Sequence, residues 1–296
     1  MPSAPRWQRI GSRNMPKCWI VGPIAWDFPY RIPSLPSSGQ FIQATRMPGR
    51  LGGTGANVAR ALVSRNAAVG MVGYVGQDKY GERSVQDMQA RGIDVSQIEK
   101  LPGQTSQVLL FLEPSGERTI VGAAEDNLSQ ITIPAGAISS GDLVYFAAWR
   151  EEFEPALRDI ESAGGIVACV PFRKPLVTLP VSYVIGSISE VPEPASDIWA
   201  KYSSWTGDKL KYMVLTFGSR GVQLLSACDS KELPAVVVQT VDTTGAGDAF
   251  AAAILAAILD GRPIMSGVQD GLVWGAATAQ KEGSIPPPWP DVLSAS

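Results

Sequence analysis

Short runs of apolar and often β-branched residues recur along most of the chain, and stretches with helical spacing lie between them. The apolar runs predict buried strands at residues 18–25, 69–75, 143–147, 165–170, 183–186 and 212–217. The helical spacing predicts helices at residues 56–64, 80–91, 152–162, 197–202, 247–259 and 266–281. Strands that alternate with helices are typical of an α/β fold, in which helices cover both faces of a mostly parallel sheet.

Two stretches break this alternation, residues 40–50 and residues 107–121. In the second, an apolar run ends at the turn sequence PSG and a β-branched run follows, which is typical of an antiparallel hairpin. We expect the two stretches to form a small separate sheet over one end of a single large domain. That domain is predicted to span residues 15–296, with residues 1–14 as a loose N-terminal extension.

The composition narrows the possible chemistry. The chain of 296 residues contains no His, which excludes a Ser-His-Asp triad, a Cys-His dyad and His-ligated zinc. The formal net charge is −3, whereas nucleic-acid-binding proteins carry a basic surface, so we expect no nucleic-acid partner. The longest wholly apolar run, residues 249–259, is shorter than the ~20 residues that a membrane span needs. We therefore expect no membrane partner and no signal peptide.

The three cysteines are odd in number and far apart in the sequence. No C-x-x-C spacing occurs, so neither a zinc knuckle nor a redox motif is indicated. Free thiols are typical of proteins in a reducing compartment, and we expect a cytoplasmic protein.

The glycine-rich segment 242–250, which reads DTTGAGDAF, follows a β-rich run at residues 235–241 and opens an apolar predicted helix. Gly245 and Gly247 allow a tight turn that exposes backbone amides. A helix N-terminus carries unpaired N–H donors and a partial positive charge, which suit a phosphate. The Asp248 carboxylate is placed to take a proton from a hydroxyl held near those amides, and the combination indicates phosphoryl transfer. The alternative interpretation is a glycine turn in which Asp248 only caps the helix.

A second glycine-rich segment, residues 52–62, reads GGTGANVARAL and leads directly into a predicted helix. Asn57, in the first turn, can both donate to and accept from a ligand hydroxyl. Asp27 follows the first predicted strand, and ligands of α/β sheets bind at the carboxyl ends of strands, so Asp27 is a candidate acceptor of hydrogen bonds from a polyol. A turn-forming role explains Asp27 equally well. No Walker-type phosphate loop is present in the sequence.

In order along the chain, these segments resemble the ribokinase-like (PfkB) carbohydrate kinase family. Segment 52–62 is similar to that family's first signature, and segment 242–250 is similar to its second. Segment 72–81 (VGYVGQDKYG) resembles the strand and turn after the first helix, and segment 214–222 (VLTFGSRGV) resembles the strand and turn of the nucleotide site. The resemblance extends from about residue 18 to residue 290. It implies a three-layer αβα sandwich with a mostly parallel central sheet and a small β-sheet lid.

The resemblance further implies an ATP-dependent phosphotransferase that moves the γ-phosphate to a hydroxymethyl group of a small sugar, with Mg²⁺ on the phosphates. Asp248 would be the general base. The backbone amides of Gly245, Ala246 and Gly247 would form an anion hole for the charge that develops on the transferred group. The residues expected to bind the acceptor are Asp27, Gly53, Thr54 and Asn57. The residues expected to bind the nucleotide are Thr216, Gly218, Ser219 and Gly221.

Metal ligands are also implied by the resemblance. Many members carry an Asn-x-x-Glu motif linked to Mg²⁺ and phosphate. In this chain Ser187 replaces the Asn and Glu190 is kept, so Glu190 is the candidate for indirect Mg²⁺ binding. Many members also bind a monovalent cation such as K⁺ beside the second signature, and Asp242 and Thr244 are the candidate ligands here.

Two alternatives to a sugar kinase stay open at this point. One is a nucleoside kinase of the same fold, and the other is a non-catalytic sugar or nucleotide sensor. The Ser187 departure is the only support for a sensor, whereas the intact Asp248 and its glycine turn favour an enzyme. In many members of the resembled family the lids pair across a dimer, so we expect a homodimer through segments 40–50 and 107–121.

Overall fold

A computed structural model describes residues 16–122, 127–192, 197–289 and 292. Its strands are β1 Cys18–Val21, β2 Ala25–Arg31, β3 Thr45–Arg46, β4 Arg50–Gly52, β5 Val69–Gly76, β6 Asp94–Leu101, β7 Ser106–Leu112, β8 Arg118–Gly122, β9 Leu143–Phe146, β10 Ile166–Cys169, β11 Tyr183–Ser187, β12 Tyr212–Thr216, β13 Val222–Leu225 and β14 Ser230–Leu233. Its α-helices are α1 Thr54–Ser64, α2 Lys79–Ala90, α3 Glu154–Ser162, α4 Ile198–Thr206, α5 Ala246–Leu259 and α6 Ile264–Ala279.

The large sheet contains nine strands in the order β14-β13-β12-β11-β10-β9-β1-β5-β6. All neighbours from β12 to β6 are parallel, whereas β13 pairs antiparallel with both β12 and β14. Successive side chains of β1 alternate between the two faces. Ile20 packs in a cluster that contains residues of α1, α2, α5 and α6, while Trp19 and Val21 pack in a second cluster with residues of α3 and α4. This confirms the predicted α/β sandwich.

The small sheet has the strand order β3-β2-β7-β8, and β4 also pairs with β2. Strands β2 and β7 are parallel, whereas the other pairs are antiparallel. Both segments predicted as hairpin material contribute strands to this sheet, β3 and the start of β4 from the first and β7 with β8 from the second. Within the part of the chain that the structure describes, no helix is long and apolar enough to cross a membrane.

The first predicted strand is in fact two strands in different sheets. β1 ends at Val21 and β2 begins at Ala25, because Pro23 lacks a backbone N–H for the ladder. Gly22 also packs closely, since a Cβ there would lie 3.2 Å from the Cα of Gly55. Asp27, which was expected to follow a strand of the large sheet, therefore lies inside β2 of the small sheet.

Two further corrections concern strands. The β-rich run at residues 235–241 forms no strand, and Val237 within it is 96% exposed, so no neighbouring strand covers it. The strands of this region are instead β13 and β14, which precede the run. The sequence patterns also gave no signal for β6, whose side chains are mostly half-buried without regular alternation.

Candidate active site

A cavity of about 560 Å³ lies where the carboxyl ends of the parallel strands meet the small sheet. This volume is in the range of small-molecule sites, and the location is the usual one for ligands of open α/β sheets. The large sheet contributes Tyr145, Ser187 and Thr216 to the lining. From the small sheet, alternate residues of three strands face the cavity: Ala25 and Asp27 of β2, Ser106, Val108 and Leu110 of β7, and Arg118 and Ile120 of β8.

The N-terminus of α5 forms part of the cavity wall. Gly245 precedes the helix with φ 82°, and a Cβ there would lie 2.4 Å from the carbonyl oxygen of Ser284, so both conformation and space favour glycine. Ala246 N–H donates to Thr243 O at 3.3 Å. Among the described residues, no backbone acceptor pairs with the N–H groups of Gly245, Gly247 and Asp248. Such free donors at a helix start suit the binding of an anion.

The predicted anion-hole residues are therefore not equivalent in the structure. Gly245 and Gly247 line the cavity, whereas Ala246 does not, and its amide already donates within the turn. Asp248, in the first turn of α5, also lines the cavity and has a free amide of its own. The amides of residues 245, 247 and 248 are thus the donors that the geometry offers to an anion.

Asp248 is held by a chain of hydrogen bonds that starts on α1. Asn57 Nδ2 donates to Asp248 Oδ2 at 2.7 Å, and Arg60 Nη2 donates to Asn57 Oδ1. Asn57 and Arg60 are both buried. Burial raises the pKa of Asp248 to about 6, although the Asn57 hydrogen bond and the charge of Arg118 act in the opposite direction.

Asp27 faces the same cavity from the small sheet and is buried. Burial raises the pKa of its carboxyl to about 6, and the nearby guanidinium groups of Arg50 and Arg60 oppose this shift. Gly52 makes room for Asp27, because a Cβ at Gly52 would lie 2.2 Å from either carboxylate oxygen. The cavity thus contains two carboxylates with raised pKa values, one on each side.

Gly53 and Thr54 line the cavity at the start of α1. Gly53 has φ 90°, and a Cβ there would come within 2.5 Å of Pro23 O, so the backbone of α1 approaches the end of β1 closely. All four residues predicted to bind an acceptor are therefore brought to one cavity, together with Asp248.

The predicted nucleotide residues divide into two groups. Thr216, at the end of β12, lines the cavity, and its Oγ1 donates to Gly186 O at 3.5 Å. Gly218, Ser219 and Gly221 form the turn that follows β12 and do not line the cavity. Gly221 is required by packing, since its φ is 103° and a Cβ would lie 2.0 Å from Leu233 O.

Glu190 lines the cavity, and its Oε2 accepts from the backbone N–H of Ser187 at 2.7 Å. In residues 16–122, 127–192, 197–289 and 292, no group of three or more Cys, Asp or Glu side chains is arranged to hold a metal ion. Mg²⁺ is usually held by one or two carboxylates together with phosphate oxygens and waters. The hydroxyl of Ser187 and the carboxylate of Glu190 fit such a role, in which the nucleotide brings most of the ligands.

Ser187 and Glu190 fit a role in binding Mg²⁺, but the surroundings of Asp242 do not fit the monovalent cation that the resemblance implies. Asp242 is buried, and its carboxylate accepts from the N–H groups of Thr244 at 2.9 Å and Gly283 at 3.0 Å. Arg50 Nη2 lies 3.8 Å from Asp242 Oδ2, so a positive charge is already next to this carboxylate. Thr244 lines the cavity, and its buried Oγ1 has no hydrogen-bond partner among the described residues.

Three arginines belong to the site, although none of them is among the predicted site residues. Arg60 lies in the buried part of α1, where its only sequence signal is a charged residue inside an apolar helix segment. Arg118 reaches the cavity from β8 and donates to Thr243 Oγ1, which joins the small sheet to the turn before α5. Arg50 lies between Asp27 and Asp242.

The model of the pfkB family of carbohydrate kinases matches residues 16–184 and 186–291 of this chain. The ATP-dependent ribose-1-phosphate kinase of Halopiger xanaduensis is 27% identical over 287 residues, which are 93% of this chain and 96% of that protein.

Solved structures show the same fold. The ribokinase of Giardia lamblia superposes with a TM-score of 0.80 at 20% identity, over 95% of this chain and 98% of that one. The nucleoside kinase of Burkholderia thailandensis, solved in complex with inosine, superposes with a TM-score of 0.77 at 18% identity, over 94% of this chain and 97% of that one.

Proposed function

The chain belongs to the pfkB family of carbohydrate kinases, and on this premise we propose that it moves the γ-phosphate of ATP to a hydroxymethyl group of a small sugar. The observation that carries this proposal is the position of Asp248. Its partly buried carboxylate lies beside the free amides at the start of α5 and is oriented by Asn57. A base and an anion site are thus next to each other in one cavity.

The proposed reaction is an in-line transfer. The acceptor hydroxyl gives its proton to the Asp248 carboxylate while its oxygen forms a bond to the γ-phosphorus, and the bond from that phosphorus to the bridging oxygen of ADP breaks. A pKa of about 6 makes Asp248 a stronger base than an ordinary carboxylate, yet leaves it ionised at neutral pH. The amides of residues 245, 247 and 248 offset the charge that develops on the transferred group.

Each remaining part of the cavity has a role in this proposal. Asp27 and Asn57 hold the acceptor by hydrogen bonds to its hydroxyl groups. When Mg²⁺ is bound with the nucleotide it neutralises phosphate charge, and Ser187 and Glu190 are the residues that would hold its water ligands. The small sheet acts as a lid that excludes water from the transfer step. Its outer face exposes Leu109 and Val121, and the homodimer through the lid stays a prediction that light scattering can test.

A nucleoside acceptor is the second candidate, because the small sheet presents Val108, Leu110 and Ile120 to the cavity. An apolar face of this kind suits a nucleobase as well as a sugar ring. The similar proteins include both a ribose-1-phosphate kinase and a nucleoside kinase bound to inosine. A coupled assay over pentoses, hexoses, ribose 1-phosphate and nucleosides decides between these acceptors. Phosphate transfer to any of them also excludes a purely sensory role.

The proposal predicts that Asp248→Asn keeps the fold and the binding of nucleotide but lowers kcat by ~10²–10⁴, the range for a positioned base. Steady-state rates and nucleotide titrations measure the two effects. Asp260→Asn is the matched control, because Asp260 lies exposed at the other end of the same helix. An unchanged kcat in Asp248→Asn removes the carboxylate from the role of base.

A further inference from the structure

Arg50 connects the small sheet with the turn that precedes α5. It begins β4, where it pairs with Asp27 of β2. Its guanidinium reaches Asp242, with Nη2 3.8 Å from Oδ2, and it also lies against Gly283, where a Cβ would be 3.2 Å from Nη1. The side chain of Arg50 is 19% exposed and that of Asp242 is 1% exposed. The positive charge of Arg50 in the small sheet therefore lies against the buried negative charge of Asp242 in the turn before α5.

The Arg50 guanidinium acts here through its charge more than through directed hydrogen bonds. Its Nε and Nη2 are buried and have no hydrogen-bond partner in the described part of the chain. An arginine side chain stays protonated even when buried, so this charge is permanent. The Asp242 carboxylate, for its part, would be costly to bury without a compensating positive charge.

Asp242 orders the turn that carries the anion site. One of its carboxylate oxygens accepts from the N–H of Thr244, the residue before Gly245, and the other accepts from the N–H of Gly283. Both oxygens of the Asp242 carboxylate thus accept hydrogen bonds in this turn, and the Arg50 guanidinium lies within 4 Å of the same carboxylate. Whatever supplies the charge next to Asp242 therefore also fixes the backbone from Asp242 to Gly245.

We infer that Arg50 supplies the fixed positive charge at Asp242 in place of a bound monovalent cation, so that phosphoryl transfer in this protein does not depend on K⁺. A cation at Asp242 would lie beside the guanidinium, and like charges repel. Arg50 is thus a positioning residue that acts through Asp242 on the amides of the anion site. The rate measurements below rest on the proposed kinase activity, whereas the melting measurements do not.

The test compares the wild-type protein in chloride salts of K⁺, Na⁺ and N-methylglucamine at equal ionic strength. We expect the same kcat and the same melting temperature in all three salts. In Arg50→Met, kcat falls in N-methylglucamine and is raised again by K⁺ or by guanidinium ion, by about 5-fold to 150-fold, the usual range for coupling between two sites. The melting temperature of Arg50→Met also rises with K⁺, because an ion that binds only the folded state stabilises it.

Three variants complete the experiment. Arg50→Lys keeps the positive charge, so we expect its kcat and its melting temperature to be the same in all three salts. Arg50→Gln repeats the test with a neutral polar side chain if Arg50→Met fails to fold. Arg46→Met removes an exposed arginine of the same small sheet and leaves the rate unchanged. The inference is overturned if K⁺ activates or stabilises the wild-type protein, or if the neutral variants respond to no cation in rate or melting temperature. If phosphate is transferred to none of the acceptors, the proposed function alone is contradicted, because the melting temperatures still test the role of Arg50.

Discussion

The two halves of the cavity are built in different ways. In the half proposed to bind the acceptor, Asp27, Asn57 and Asp248 are buried or partly buried, and side-chain hydrogen bonds hold Asn57 and Asp248 in place. In the half proposed to bind the nucleotide, Thr216 is half-buried at the cavity wall, and the turn at residues 218–221 follows it outside the cavity and is held by backbone geometry. Substitutions in the acceptor half should therefore change the chemical step, whereas those in the nucleotide half should change binding by small amounts.

Among the residues that surround Asp248, the largest effect is expected for Asn57→Ala. This change removes the hydrogen bond that orients Asp248 and also leaves Arg60 without its acceptor. We expect kcat to fall by ~10², because the base loses its orientation. The free energy of unfolding should fall by about 1–3 kcal/mol, the cost of a buried donor without a partner. Steady-state kinetics and urea denaturation measure the two effects.

The matched control for Asn57→Ala is Ser64→Ala on the same helix. Ser64 Oγ donates to Ala61 O at the far end of α1, away from the cavity. Its removal should leave kcat unchanged. If Asn57→Ala keeps the wild-type kcat while its stability falls, the hydrogen bond to Asp248 is structural only, and the contrast between the two halves is lost.

The pH dependence of kcat/KM is the next largest effect. Burial raises the pKa values of Asp27 and Asp248 from 3.8 to about 6, and both carboxylates must be ionised in the proposed reaction. Protonation then lowers kcat/KM as the pH falls through about 6. Because the two groups interact, the acid limb reports apparent pKa values of the pair. A limb near pH 4 instead would mean that neither carboxylate is perturbed in the free enzyme.

Arg60→Met tests the cause of the pH dependence in the half proposed to bind the acceptor. The charge of Arg60 lowers the pKa of both Asp27 and Asp248, so its removal should move the acid limb to higher pH. Arg65→Met is the control just after the end of the same helix, because Arg65 pairs with Asp270 outside the cavity and the acid limb should keep its position. Equal profiles for the wild type and Arg60→Met would show that Arg60 has no electrostatic effect on the pair.

The smallest effect is expected for Thr216→Val in the nucleotide half. This change removes one weak hydrogen bond, from Oγ1 to Gly186 O, and one polar group that faces the cavity. If the Thr216 hydroxyl makes one neutral hydrogen bond to the nucleotide, that bond contributes about 0.5–1.5 kcal/mol. Its loss should raise the KM for ATP by roughly 2-fold to 12-fold and leave kcat unchanged. Ser219→Ala, in the exposed turn, should change neither constant. A fall in kcat for Thr216→Val would show that Thr216 also affects the chemical step, and this would contradict the contrast between the two halves.

The core of the fold could be predicted because its strands and helices have strong apolar patterns. β5, β9 and α5 lie at predicted positions; the two strands are buried throughout, and α5 is buried over residues 249–257. β2 could not be predicted, because Asp27 and Pro29 are typical of a turn and only pairing with β7, about 80 residues later, makes this segment a strand. β13 and β14 were also missed, since strands of only four residues carry little pattern.

The candidate site shows the same limit. Glycines and Asp248 have local signals, because a glycine turn before an apolar helix has a direct physical meaning. The side chains that these residues contact have no such local signal. Asn57 and Asp248 are 191 residues apart in the sequence, and Arg118 is 125 residues from Thr243. Such pairs depend on the tertiary arrangement, so the sequence could not assign the arginines near these carboxylates to the site.

The most direct test of the central claim is a crystal structure of the protein with a bound acceptor. The account predicts an acceptor hydroxyl within hydrogen-bond distance of the Asp248 carboxylate, with other hydroxyl groups of the same molecule bonded to Asp27. An acceptor bound elsewhere, with the Asp248 carboxylate turned away from every hydroxyl group, would contradict it.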